Sequence, residues 1–231
     1  MIEHRPYAAL GGHDLDWLKA RLHVRIDGIG NPDHTGIRAL RAWNDDEFAP
    51  RSGFPLHRHQ DVEILTYVRQ GAITHEDSLG NRATVRAGDV QAMSAGSGIR
   101  HAECNAEDET TALYQIWLRP RARGGAPSWS TRRFPRDQRA GVLAVLASGY
   151  GDADALPIDA DARLLGATLR AGAVIEHRLA PGVHAYLVST GGRARVNEVL
   201  LAARDGAAIA GETVLVIAAL DDTEIVLAEL A

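Results

Sequence analysis

His57 and His59 stand one residue apart in the stretch Phe54-Pro55-Leu56-His57-Arg58-His59-Gln60-Asp61-Val62-Glu63, and a second pair of donors follows at His101-Ala102-Glu103. Side chains two positions apart on a β-strand leave the same face, so each pair projects together. If the two segments are neighbouring strands with matched inward faces, three imidazoles and a carboxylate meet at one point. That donor set suits a single divalent transition metal, with Fe(II) taken first and Ni, Cu, Mn, Co or Zn as alternatives, and a metal favouring six ligands keeps two positions open. An isolated His-x-His is weak evidence, because ten histidines in 231 residues give about half of one such pair by chance. The His-x-Glu pair behind the glycine-rich corner Ser94-Ala95-Gly96-Ser97-Gly98 makes coincidence a poor explanation.

Unbroken alternation from His59 would carry Asp61 and Glu63 onto the same face, so Glu63 competes with Glu103 as the carboxylate donor, and a break or bulge between His59 and Glu63 decides between them. Cys104 has the opposite parity to His101 and Glu103 and reads as a lone core or surface thiol. His75 precedes the turn Asp77–Asn81, where a structural hydrogen bond is its expected role. His4, His13, His23 and His34 fall in a stretch without clear periodicity.

These donors need strands to hold them. Twenty-three glycines and nine prolines punctuate short alternating or β-branched runs, and no long run has a 3.6-residue period, so the chain reads as all-β. Residues 1–36 read as irregular, Ile37–Trp43 as a strand and Asn44-Asp45-Asp46 as a turn. Strands are expected at Ile64–Val68, Ala72–Glu76, Ala83–Arg86, Val90–Met93, Ile99–Cys104 and Thr111–Leu118, with turns at Arg69–Gly71, Asp77–Asn81 and Ala87–Asp89. Residues 119–139 hold seven arginines with several glycines and prolines and read as a solvated connector between domains. Gly141–Ser148 is assigned to strand from its all-β setting. Two stretches then echo the first half: Tyr186–Gly191 parallels Tyr67–Gly71, and Arg204–Gly211 parallels Arg86–Met93. Thr213–Ala219, where the His-x-Glu strand would recur, holds neither residue, so the second copy is expected to lack metal.

Net charge is −5 and the sequence pI about 6.0, which argues against nucleic-acid partners. The start Met1–Pro6 has no apolar core of a leader, and Val214–Leu220 is too short to span a bilayer, so a cytoplasmic chain is expected. The single cysteine excludes an intrachain disulfide and leaves His and carboxylates to hold any metal.

Gly53-Phe54-x-x-His57-x-His59-x-x-x-Glu63-x-x-Thr66-Tyr67, His75-Glu76-Asp77-Ser78-x-Gly80 and Gly88-Asp89-Val90-Gln91-x-Met93-Ser94-Ala95-Gly96-x-Gly98-Ile99-x-His101-x-Glu103 together resemble the pirin family of the cupin superfamily. Tyr114-Gln115-Ile116-Trp117 and Arg132-Arg133-Phe134 extend the resemblance to bacterial quercetinase-type pirins over almost the whole chain. It implies a bicupin, two antiparallel jelly-roll β-barrels packed together: residues 1–118 a metal-bearing N-terminal barrel, 119–139 the connector and 140–231 a degenerate C-terminal barrel without metal. It further implies His57, His59, His101 and Glu103 as metal ligands, with Glu63 behind them or buried against another polar group. The implied activity is that of a quercetin 2,3-dioxygenase, an oxidoreductase taking a flavonol-like aromatic substrate and O2 and releasing CO, with Glu103 or Glu63 accepting the substrate's hydroxyl proton. A metal-bearing regulatory binding protein is the alternative, and a monomer is expected. The sequence departs from the family at Arg58, where proline is usual, within Gln60–Val62, and between Trp17 and Pro32, where the family's aromatic motif is poorly kept.

Overall fold

A computed structural model describes residues 1–231, and the alternating runs become strands joined by glycine turns with no α-helix. In chain order these are β1 (Ile2–Arg5), β2 (Gly11–Asp14), β3 (Leu18–Val24), β4 (Leu40–Phe48), β5 (Ser52–His59), β6 (Glu63–Gln70), β7 (Ala72–Asp77), β8 (Arg82–Arg86), β9 (Val90–Ser94), β10 (Ile99–Asn105), β11 (Thr111–Leu118) and β12 (Ser128–Arg132). The second half follows with β13 (Ala144–Ser148), β14 (Leu156–Pro157), β15 (Ala162–Leu169), β16 (Val174–Arg178), β17 (His184–Ser189), β18 (Ala194–Val196), β19 (Val199–Leu201), β20 (Gly206–Ile209), β21 (Val214–Ala219) and β22 (Thr223–Leu230). Single turns of 3-10 helix at Tyr7–Ala9 and Arg136–Arg139 complete the elements.

Each half is a seven-stranded sheet facing a four-stranded one, the layout of a jelly roll. The first half orders its strands β12-β9-β6-β11-β4-β3-β2 and β5-β10-β7-β8, and the second β1-β20-β17-β22-β15-β13-β14 and β16-β21-β18-β19. Strand for strand the orders match, which is the internal repeat legible in the sequence. The match also shows where the chain crosses between halves. β1, from the N-terminus, pairs with β20 in the second half, and β12, from the arginine-rich connector, occupies the corresponding edge of the first by pairing with β9. Each half thus closes its long sheet with a strand lying outside its own stretch of sequence.

Two local expectations fail. Residues 1–36 contain three strands rather than irregular chain; β1 and β2 are short, polar edge strands whose partners, not their periodicity, make them strands. Asn44-Asp45-Asp46 is the middle of β4, not a turn, because β3 and β11 pair with it from both sides and override the local turn preference. Asp45 is buried there and ion-paired to Arg69 and to Arg204 of the second half. The lean to strand at Gly141–Ser148 is met by β13.

The largest apolar cluster lies between the halves and joins Val24, Leu40, Trp43, Tyr67 and Tyr114 to Leu164, Tyr186, Val188 and Val226. Polar ties cross it: His23 Nδ1 lies 2.9 Å from the Tyr186 hydroxyl, and buried Arg139 donates to the Tyr67 hydroxyl (2.8 Å) and to Glu224 (3.1 Å). Separate apolar clusters fill each half, around Ile73, Val85 and Leu113 in the first and around Leu187, Ile217 and Leu227 in the second.

Candidate metal centre

β5 and β10 are antiparallel neighbours in the four-stranded sheet of the first half, and their register sets His57 directly opposite His101. His59 follows on the same face of β5. The ring centroids of His57 and His101 are 4.5 Å apart, those of His57 and His59 4.7 Å, and those of His59 and His101 5.1 Å. One nitrogen from each ring lies within 4.8 Å of the others, close enough for a single ion. The register slips between His101 and Glu103, opposite Leu56 and Pro55. Proline has no N–H to give to the ladder, which accounts for a bulge here.

Glu103 meets His101 in a second trio, fully buried, whose third member is His75 on β7. Its carboxylate is gripped from two sides: the Gln91 amide donates to Oε1 (2.5 Å) and the Gln115 amide to Oε2 (2.6 Å), with the Thr66 hydroxyl at 3.4 Å. Each amide is in turn oriented by an indole, Trp129 Nε1 donating to Gln91 (3.1 Å) and Trp117 Nε1 to Gln115 (2.9 Å). The same tryptophans flank the histidines, Trp117 edge-on to His59 and Trp129 stacked on His75 at 4.8 Å. Periodicity named the donors but missed these supports. A glutamine inside an otherwise apolar strand, as at Gln91 and Gln115, was the available signal.

The donors are held ready to bind. Burial, and then the neighbouring imidazoles, push His101 down to about 3, and burial followed by His57 takes His59 down to about 4. Their rings therefore stay neutral, as ligands must be. His57 Nδ1 sits 2.8 Å from the Pro55 carbonyl; donating its proton there leaves Nε2 free as the donor atom. Burial pushes Glu103 up to about 7, against the lowering effect of its hydrogen bonds from Thr66, Gln91 and Gln115. Both ring nitrogens of His101 are buried without a hydrogen-bond partner. A buried polar atom left unpaired is costly, and a metal ion among the three rings is the partner this donor set fits.

Glu63 is elsewhere. β5 ends at His59, Asp61 takes a left-handed conformation (φ 53°), and β6 begins at Glu63, so alternation does not carry through. Glu63 accepts from the Ser94 hydroxyl (2.6 Å) and from the Asp159 amide of the second half (3.1 Å), a joint between halves. Arg58 lies on the outer face of β5, across Gly98, and donates to the Ser97 carbonyl (3.2 Å), clamping the corner that precedes His101. Cys104 is exposed. His75 contacts Asp77 at 3.1 Å, as its hairpin position suggested, but also belongs to the buried trio.

In the second half, β16 pairs with β21 as β5 does with β10, and the buried pair there is Ile175 opposite Ile217. His177 on β16 contacts Glu229 at 2.7 Å. Hydrocarbon fills the place that the first half gives to donors.

Two successive jelly rolls, the first with a histidine cluster and the second without, define a bicupin. The pirin family model matches residues 23–118 and the model of the quercetinase C-terminal cupin domain residues 145–230. A pirin-like protein of Caulobacter vibrioides is 54% identical over 232 residues, covering 100% of both chains. A quercetin 2,3-dioxygenase of Escherichia coli is 38% identical over 231 residues, covering 100% of this chain and 99% of its own. The crystal structure of the bacterial pirin YhhW from Escherichia coli in complex with nickel(II) superposes with a TM-score of 0.93 at 34% identity, over 100% of this chain and 99% of that one. The chain belongs to the pirin family.

Proposed function

We propose that the protein is a metal-dependent dioxygenase of the quercetin 2,3-dioxygenase type, cleaving a flavonol-like substrate with O2 and releasing CO. The observation that carries this reading is the convergence of His57, His59 and His101, with both nitrogens of His101 buried and unpartnered. These three residues would hold one divalent transition metal, with Glu103 as the fourth donor. Such an ion, when bound, supplies a Lewis-acidic centre that acidifies a coordinated hydroxyl and brings substrate and O2 together.

The chain's own part is to place a base and keep water away. Glu103 is assigned as the base: its carboxylate stands beside His101 and is held between Gln91 and Gln115, placed to take the substrate's hydroxyl proton and release it again. Gln91 and Gln115 fix both carboxylate oxygens, so the acceptor does not swing away. Trp117 walls one side of His59 with an apolar ring, and Trp129 covers His75. Glu63, occupied with Ser94 and Asp159, is assigned to the joint between halves instead of to proton transfer.

Protein stripped of metal and reloaded separately with Fe(II), Ni(II), Cu(II), Mn(II), Co(II) or Zn(II) should retain one ion per chain by elemental analysis and consume quercetin and O2 together with at least one of them. His59→Ala should lose both the ion and the turnover. Full metal retention without turnover for any ion would overturn the activity while leaving the centre.

A further inference from the structure

A groove of about 940 Å³ does not contain the histidines but adjoins them: Trp117, whose ring packs 5.0 Å from that of His59, lines it, as does the Asp61-Val62 corner that follows His59. Five arginines surround this groove, Arg25, Arg41, Arg119, Arg121 and Arg123, against two aspartates, Asp27 and Asp61. Arg121 is spoken for, ion-paired to Asp161 at 2.6 Å. The other four form no ion pair and lie exposed, in a chain whose net charge is −5. Unpaired like charges gathered at one concavity repel one another, and an anion entering it relieves that repulsion.

The groove is pre-shaped. Ile26 and Ile29 exchange backbone hydrogen bonds (3.1 and 2.9 Å) across the turn Asp27-Gly28, whose residues have φ of 50° and 83°, and the Arg25 amide is tied to the His34 carbonyl at 2.7 Å. On the opposite wall the Arg119 amide bonds to the Ala39 carbonyl (2.8 Å), and the Gly124 amide donates to Asp61 (2.8 Å). The connector's backbone is therefore strapped along the first half, which fixes where its arginines leave the chain around the groove. We infer that this groove binds the oxyanion head group, carboxylate or phosphate, of a small-molecule substrate whose reacting end reaches the histidine centre past Trp117. The inference rests on the dioxygenase reading for the words substrate and reacting end; the anion site itself does not.

The test is equilibrium binding followed by tryptophan fluorescence, on metal-free and metal-loaded protein, with 3,4-dihydroxybenzoate, phenyl phosphate and catechol as probes, the last sharing the ring but lacking the anion. At least one anionic probe should bind about tenfold more tightly than catechol, weaken as salt rises, and lose that advantage in Arg41→Gln/Arg119→Gln. The tighter of the two anions identifies the head group. Arg195→Gln, which removes an exposed arginine on β18 far from the groove in sequence and sheet, should leave binding unchanged, and thermal unfolding checks that the double variant folds. Equal affinity for all three probes, or an anion preference that survives the double variant, overturns the inference. Tighter binding of a single-stranded oligonucleotide than of either small anion, lost in the same variant, overturns the small-molecule assignment. Anion binding in protein that turns over no substrate with any metal keeps the groove and removes only the dioxygenase reading.

Discussion

Glu103 illustrates how a single side chain is tuned by its surroundings. Buried without a cation, a carboxylate would stay protonated; two amides and a hydroxyl return part of the lost solvation. Gln115→Leu removes one of these donors while keeping the volume, and should weaken metal binding by about tenfold, as changes to residues supporting a ligand commonly do. A competition titration against a chromophoric chelator measures it, and unchanged affinity would show that Gln115 merely packs. His23 is the other residue whose environment sets its behaviour. Burial first, then Arg5, Arg69 and Arg204, push it down to about 3 from 6.5. Between those values the unfolded chain binds a proton that the native state refuses, so this residue's contribution to stability is lost as pH falls below 6.5. The loss amounts to about 2 kcal/mol at pH 5. Glu103 in metal-free protein acts in the opposite sense, since its raised value lets the native state hold a proton between 4.5 and about 7. The comparison of wild type with His23→Phe by urea unfolding at pH 7 and pH 5 isolates the histidine: the variant should lose less stability on acidification, and parallel losses would refute the assignment.

At the scale of elements, the site is a matter of register. His57 faces His101 because β5 and β10 pair as they do, and Glu103 turns toward the two glutamines after the bulge at Pro55. The edge strands carry a different lesson. β1 reads Ile-Glu-His-Arg, with nothing in it to announce a strand, yet it closes the second half's long sheet against β20. Arg5 from this strand is buried and donates to the His23 carbonyl at 3.0 Å, reaching into the first half. Deleting residues 1–6 should therefore lower the melting temperature by several degrees, at roughly 2–4 °C per kcal/mol for a chain of this size, and leave the β20 edge open to aggregation. Differential scanning calorimetry with light scattering tests both; an unchanged transition would mean that β1 is a dispensable flap.

Over the whole molecule, the two halves meet across a seam that is both apolar and ionic. Arg139, from the single turn between halves, lies under the Tyr67 ring with its charge directed at Glu224 and at the Phe134 carbonyl. Replacing it with methionine keeps much of the packing but leaves Glu224 with Arg136 and the Tyr67 hydroxyl, and should cost about 3 kcal/mol, the lower end for breaking a buried pair. Chemical denaturation measures that loss, and a change below about 0.5 kcal/mol would place Arg139 among ordinary surface substitutions. The interiors of the two halves differ: Ile175 and Ile217 complete an apolar filling in the second half, while the first half keeps a polar interior around Glu103. No helix of the molecule is long and apolar enough to cross a membrane.

The sequence by itself determined the all-β character, the repeat of two units and the parity that lets His57, His59 and His101 converge, because strand periodicity and glycine turns are local properties that short-range sterics enforce. The strands from Glu63 to Leu118 were legible nearly to the residue for the same reason. Only the tertiary structure decided what sits around those donors: that Asn44-Asp45-Asp46 pairs as the middle of a strand, that Glu63 faces Asp159 across the joint, and that Trp117 and Trp129 hold the amides that hold Glu103. It also decided that the arginine-rich connector is part of the molecule's walls, with β12 in the first sheet and Arg119, Arg121 and Arg123 along the groove. These facts depend on which segments, distant along the chain, supply each other's hydrogen-bond partners and charges, and no local pattern records that choice.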